Sequence, residues 1–182
     1  MALPDLTPKL NYDDYVLIPE DGRRHEILDG EHYVTASPFY SHQRVSGRLH
    51  GSMEPFVYGR KLGVVLAAPM DVVLSPHDVV QPDLLFISNE RLDIITQKNI
   101  QGAPDLVVEI LSDATRRQDE GLKLDCYDRF GVREYWILDP ARRSARIYRR
   151  IGGRLRLAAD AGDALTTPLL PGLEIPLNTI FE

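Results

Sequence analysis

The chain has a single cysteine, Cys126, among 182 residues, which excludes an internal disulfide, and no Cys/His spacing suggests zinc. Long apolar runs are missing too: none approaches the roughly 20 residues that a membrane helix needs. The opening stretch MALPDLTPKLNYDDY has no basic-then-apolar order of the secretory kind. A soluble cytoplasmic protein with no membrane partner and no small-molecule cofactor is therefore expected. Internal repeats, low-complexity tracts and linkers are also lacking, so residues 1–182 are expected to form one domain. Acid is absent from one place in particular. Between Arg142 and Arg156, RRSARIYRRIGGRLR has seven arginines and no carboxylate, so the rest of the chain carries −13 against a total of −6. Arg142, Arg143, Arg146, Arg149, Arg150, Arg154 and Arg156 read either as a basic arm on an acidic body or as the solvated face of a hairpin.

What is present is ordinary globular material, 43% hydrophobic and 26% charged. RRHEILDGEHYVTAS predicts two strands around the Asp29-Gly30 turn. From Ser41, a candidate N-cap, a helix is expected to bury Val45, Leu49, Met53 and Phe56. GVVLAAPMDVVLS and VVQPDLLFIS, joined by PHD, read as neighbouring antiparallel strands, and DLVVEILS as a further buried one. SDATRRQDEGLKLDCYDRFG is expected to be a helix closed by Gly131. It would align Thr115, Asp119, Lys123 and Tyr127 in one stripe and Leu122, Cys126 and Phe130 in an apolar one. A strand over VREYWILD, the arginine-rich hairpin around Gly152-Gly153, and a last strand with a terminal turn complete an α/β domain built around one sheet.

Two acids sit where water is scarce. Glu109 is threaded through Val107, Val108, Ile110 and Leu111, and Asp83 leads the apolar stretch behind Pro82. A buried carboxylate is costly unless it is paired or binds a cation. Asp105 shares the face of Glu109 but lies about 13 Å away along a strand. If the Asp83 and Glu109 strands are neighbours, the two could hold one Mg²⁺ or Mn²⁺, leaving positions for a phosphate and a water. Lys123, on the following helix, could orient that water. The plainer reading also stands: buried acids cap turns or pair with arginine, and Asp119–Lys123 could be a surface pair.

The segments LIPEDGRRHEILDGEHYVTASP, SHQRVSGRL, QPDLLFIS, GAPDLVVEILS, RRQDEGLKLDCYDRFGVREYWILDP and LLPGLEIPL resemble, in this order, the Uma2 family (DUF820) of restriction endonuclease-like proteins. The resemblance runs from about Tyr15 to Phe181. It implies a restriction endonuclease-like mixed β-sheet core flanked by helices, with additional N-terminal and C-terminal β-hairpins. It also implies a PD-(D/E)xK site, whose acids fall on Asp83 and Glu109. The motif's lysine position is taken by Leu111, so either Lys123 has assumed its role or the site is impaired. Glu26 is a possible additional acid, or a strand acid paired with Arg23 or Arg24. His42 could meet a phosphate or simply be solvated, and Asp119 could orient Lys123. Tyr127, Trp136 and Cys126 read as packing residues.

The expected activity is Mg²⁺- or Mn²⁺-dependent hydrolysis of DNA phosphodiester bonds by a homodimer, with the arginines on backbone phosphates. The alternative is a catalytically impaired nuclease-fold protein that binds nucleic acid or protein.

Overall fold

The computed structural model of the protein describes residues 8–182. The N-terminal stretch read for a secretory signal lies partly outside these residues. In chain order, helix α1 (Tyr12–Tyr15) precedes strands β1 (Arg24–Leu28) and β2 (Glu31–Thr35), and the long helix α2 (Tyr40–Arg60) follows. Next come β3 (Gly63–Ala67), β4 (Val72–Ser75), β5 (Asp78–Val80), β6 (Leu84–Ser88), β7 (Ile100–Gln101) and β8 (Leu106–Ile110). A π-helical turn (Gln118–Lys123) runs into α3 (Leu124–Phe130), and β9 (Glu134–Asp139), β10 (Ser144–Ile151) and β11 (Arg154–Asp160) follow. The chain closes with β12 (Ala164–Thr166), β13 (Glu174–Pro176) and α4 (Leu177–Phe181).

The strands divide between two main sheets, where the sequence suggested one. A six-stranded sheet has the order β11-β10-β9-β8-β6-β3, and a five-stranded sheet the order β2-β1-β5-β4-β7. Prolines draw the division. Pro69 and Pro82 have no N–H to give a ladder, so each apolar run is cut into two strands. The first halves and second halves still find one another: β3 pairs with β6 in the large sheet, and β4 with β5 in the small one. The Asp29-Gly30 turn is as expected, with both residues at positive φ (51° and 81°) in the manner of a tight hairpin.

The alternation of β8 explains its apolar sequence. Leu106, Val108 and Ile110 face a core built with Val45, Leu49, Met53 and Val57 of α2. Val107 and Leu111 face a second core with Cys126, Tyr127 and Tyr135, closed by Leu28, Val72 and Val80 of the small sheet. Glu109 stands on that second face. Val57, and not the half-buried Phe56, completes the buried stripe of α2.

Two local expectations are corrected. Ser41 is not the N-cap of α2: Phe39, in extended conformation, is the cap residue, without a side-chain hydrogen bond. Leu122 is exposed, not part of an apolar stripe. The wider π turn shifts the helical phase, carrying Leu122 outward while Asp119 and Lys123 turn inward.

Candidate active site

Asp83 and Glu109 come from adjacent antiparallel strands whose register pairs Leu84 with Val108 and Leu85 with Val107. One further step along that register sets Asp83 opposite Glu109, on the same face. The ladder does not close there by backbone alone. The Ile110 amide donates instead to Asp83 Oδ2 at 2.8 Å, so the side chain completes what the strand after Pro82 leaves open.

Each carboxylate has its own basic partners. Arg24 Nη1 lies 2.7 Å from Asp83 Oδ1, and His42 Nε2 3.0 Å from Oδ2. Lys123 Nζ lies 2.9 Å from both Glu109 and Glu26, and 3.5 Å from Asp119 Oδ1. The Tyr127 hydroxyl donates to Glu109 Oε1 at 2.7 Å. Glu26 also accepts from the Gln81 amide at 2.8 Å and from Gln118 at 3.3 Å. Glu26, Asp83, Glu109, Asp119 and Lys123 are all buried.

This crowding drives the two principal acids apart. Burial pushes the Asp83 carboxyl up, but His42 and Arg24 more than offset it and draw it down to about 2. For Glu109 burial prevails over Lys123 and leaves the group well above the usual carboxylate range. Burial raises Asp119 likewise. For Lys123 burial favours loss of the proton, yet Glu109, Glu26 and Asp119 hold it on, well above the ordinary lysine value. Asp83 is thus firmly ionised, Glu109 is raised by its burial, and the lysine shared by Glu109, Glu26 and Asp119 is held as an ammonium.

A cavity of about 150 Å³ opens on these groups. Two buried atoms that border it, Asp119 Oδ1 and His42 Nδ1, have no hydrogen-bond partner. Among the described residues no three His, Cys, Asp or Glu side chains converge as they would around a metal cage. The donor set nevertheless fits a hard, hydrated ion, because Mg²⁺ keeps most of its waters and takes only one or two carboxylates from a protein. Four buried carboxyl groups border the cavity, and Asp83, the one held firmly ionised, offers such an ion an oxygen ligand.

Six of the residues expected at the site converge there: Asp83, Glu109, Lys123, Glu26, Asp119 and His42. Glu26 meets Lys123, while its two expected partners pair elsewhere, Arg24 with Asp83 and Arg23 with Asp21. His42 is not merely solvated but packed against Asp83. The arginines of the β10–β11 hairpin do not border the cavity. Arg146 pairs with Glu120, Arg149 with Glu134, Arg142 with Asp139, and Arg154 with Asp128. Arg143 donates to the Phe181 carbonyl, and Arg150 to the Asp128 and Val132 carbonyls, where it finishes the end of α3. Sequence reasoning missed Arg24 and the role of the Tyr127 hydroxyl. The four-residue spacing from Lys123 to Tyr127 was the available signal for the latter.

The sequence model of the Uma2 family, described as "Putative restriction endonuclease", matches residues 12–178. A comparison with curated proteins returned no match. Among solved structures, one titled "putative nuclease belonging to DUF820", from Anabaena variabilis, superposes with a TM-score of 0.79. The two share 17% identity over 94% of this chain and 97% of that one, so the likeness is one of fold, here the restriction endonuclease-like one.

Proposed function

The chain belongs to the Uma2 family, and from that premise we propose that it is a nuclease that hydrolyses DNA phosphodiester bonds with a divalent ion. The observation that carries this reading is the buried Asp83–Glu109 pair, set across two strands with an ammonium on Glu109. Asp83 and Glu109 would hold Mg²⁺ or Mn²⁺, which when bound supplies Lewis acidity toward the phosphate and a more acidic water. The chain's own groups have distinct tasks. Lys123 keeps its proton, so it orients the attacking water and offsets developing charge rather than acting as a base. Asp119 steadies the ammonium, and the Tyr127 hydroxyl fixes the Glu109 carboxylate. Arg24 and His42, now on Asp83, would offer donors to a phosphate oxygen. The exposed arginines Arg142, Arg143, Arg154 and Arg156 remain the candidates for backbone contacts. Cutting both strands of a duplex would call for a homodimer.

The reading is tested by titrating Mn²⁺ into the wild type and Glu109→Gln, followed by calorimetry. Saturable heat that disappears in the variant is the expected result. Identical, non-saturating curves would sink the ion site. A second reading, a binding module without catalysis, is favoured by Leu111 in the motif's lysine position and by the full set of partners on Asp83. Saturable Mn²⁺ binding without cleavage of any DNA form would point to it.

A further inference from the structure

We propose that Phe39 and Tyr40 form a stacking platform for unpaired bases, so that the site takes single-stranded DNA in preference to duplex. The inference rests on the nuclease reading and names its substrate class.

Phe39 and Tyr40 are 78% and 76% exposed, side by side at the start of α2. Phe39 also walls the cavity that holds Asp83, Glu109 and Lys123. Pro38, Ala36, Ile110 and Ala114 continue that wall. The lining thus combines apolar and aromatic residues with the acid pair. A base laid on Phe39 brings its own backbone phosphate toward the carboxylates.

The platform is held ready. Phe39 is fixed in extended conformation at the head of a 21-residue helix. Arg44 donates to the Tyr40 hydroxyl at 3.2 Å, and its guanidinium carbon lies 6.0 Å from the ring centre. The Glu182 carbonyl accepts from Arg44 Nε at 3.1 Å and so braces it from behind. A base stacked on Tyr40 therefore meets a ring that is already positioned.

Charge points the same way. Duplex binding draws most of its affinity from neutralised phosphates. Here the net charge is −6, and six of the seven hairpin arginines already have partners within the chain. Phosphate contacts alone are then a limited source of affinity, and stacking on aromatic rings adds to it without sequence preference. In a duplex the base faces are covered by one another and offer Phe39 nothing. An unpaired strand also needs only one site to be cut.

The test is fluorescence anisotropy in Mg²⁺ with a hydrolysis-resistant phosphorothioate oligothymidylate, single-stranded or paired with phosphorothioate oligoadenylate. The wild type is expected to bind the single strand more tightly. Phe39→Ala should weaken that binding roughly 5- to 150-fold, the range of one lost stacking contact, leave duplex affinity unchanged, and be rescued by Phe39→Trp. Equal affinity for the two forms, or a Phe39→Ala variant that binds as the wild type does, overturns the platform while leaving the nuclease reading in place. Failure to bind either form overturns the platform, and the Mn²⁺ titration then decides separately whether the acid site stands. A wild-type dimer mass lost in Phe39→Ala would overturn it too, by making these rings a contact between copies.

Discussion

Glu109 is tolerated among valines because an ammonium and a phenol meet it there. Lys123 in turn serves three carboxylates, and that concentration of roles makes it the most sensitive single residue of the site. Lys123→Met should lower stability at neutral pH by roughly 3–5 kcal/mol, since buried acids would lose their cation. Urea unfolding measures the loss, and Glu109→Gln in the same chain should recover part of it. At this scale much of the site was readable. Acids inside apolar runs are conspicuous, and a lysine four residues from both Asp119 and Tyr127 marks a stripe. Arg24 was not readable as a partner of Asp83. The two lie 59 residues apart, and nothing local ties a strand-end arginine to a particular distant acid.

The elements show where local pattern stops being enough. Hairpins and buried strands were legible from Asp29-Gly30, from Gly152-Gly153 and from β-branched runs. Their assignment to two sheets was not, because Pro69 and Pro82 mark a break without saying where the chain goes afterwards. The π turn over Gln118–Lys123 was equally hidden, since apolar spacing alone fits an uninterrupted α-helix. One glycine holds the large sheet's edge together. Gly63 has φ +151°, and a Cβ there would collide with the Ile87 carbonyl of the paired strand. Gly63→Ala should therefore cost roughly 1–3 kcal/mol from backbone strain alone, with the collision adding to it. Thermal melts compared with Gly47→Ala, an open position in α2, would check this.

Across the whole molecule, charge is spent mostly on cohesion. The arginine hairpin, read as either a basic arm or a solvated face, has most of its guanidinium groups paired with the body it sits on. Asp105 belongs to the same scheme: it accepts from the Ser88 amide at 2.8 Å and pairs with Arg91 at 3.3 Å and Arg133 at 3.1 Å. Burial pushes its carboxyl up, but those donors hold it below its ordinary 3.8. Above that value the unfolded chain has lost its proton as well, so the contribution to stability is fully present. As pH falls through the lower, folded value the contribution vanishes. Asp105→Asn should thus be less stable by roughly 1.5–3 kcal/mol at neutral pH, with the gap closing under acid below 3.8. Denaturation midpoints at a series of pH values would show it. The cavity has a mechanical side as well. Arg24 and Glu26 reach it from the small sheet, Asp83 and Glu109 from the large one, so neither sheet owns the site. An ion seated there would act as a latch between them, and the melting temperature would climb with ion concentration. Chemistry and closure would then share one keyhole, and a chain with its sheets undocked would be unable to cut.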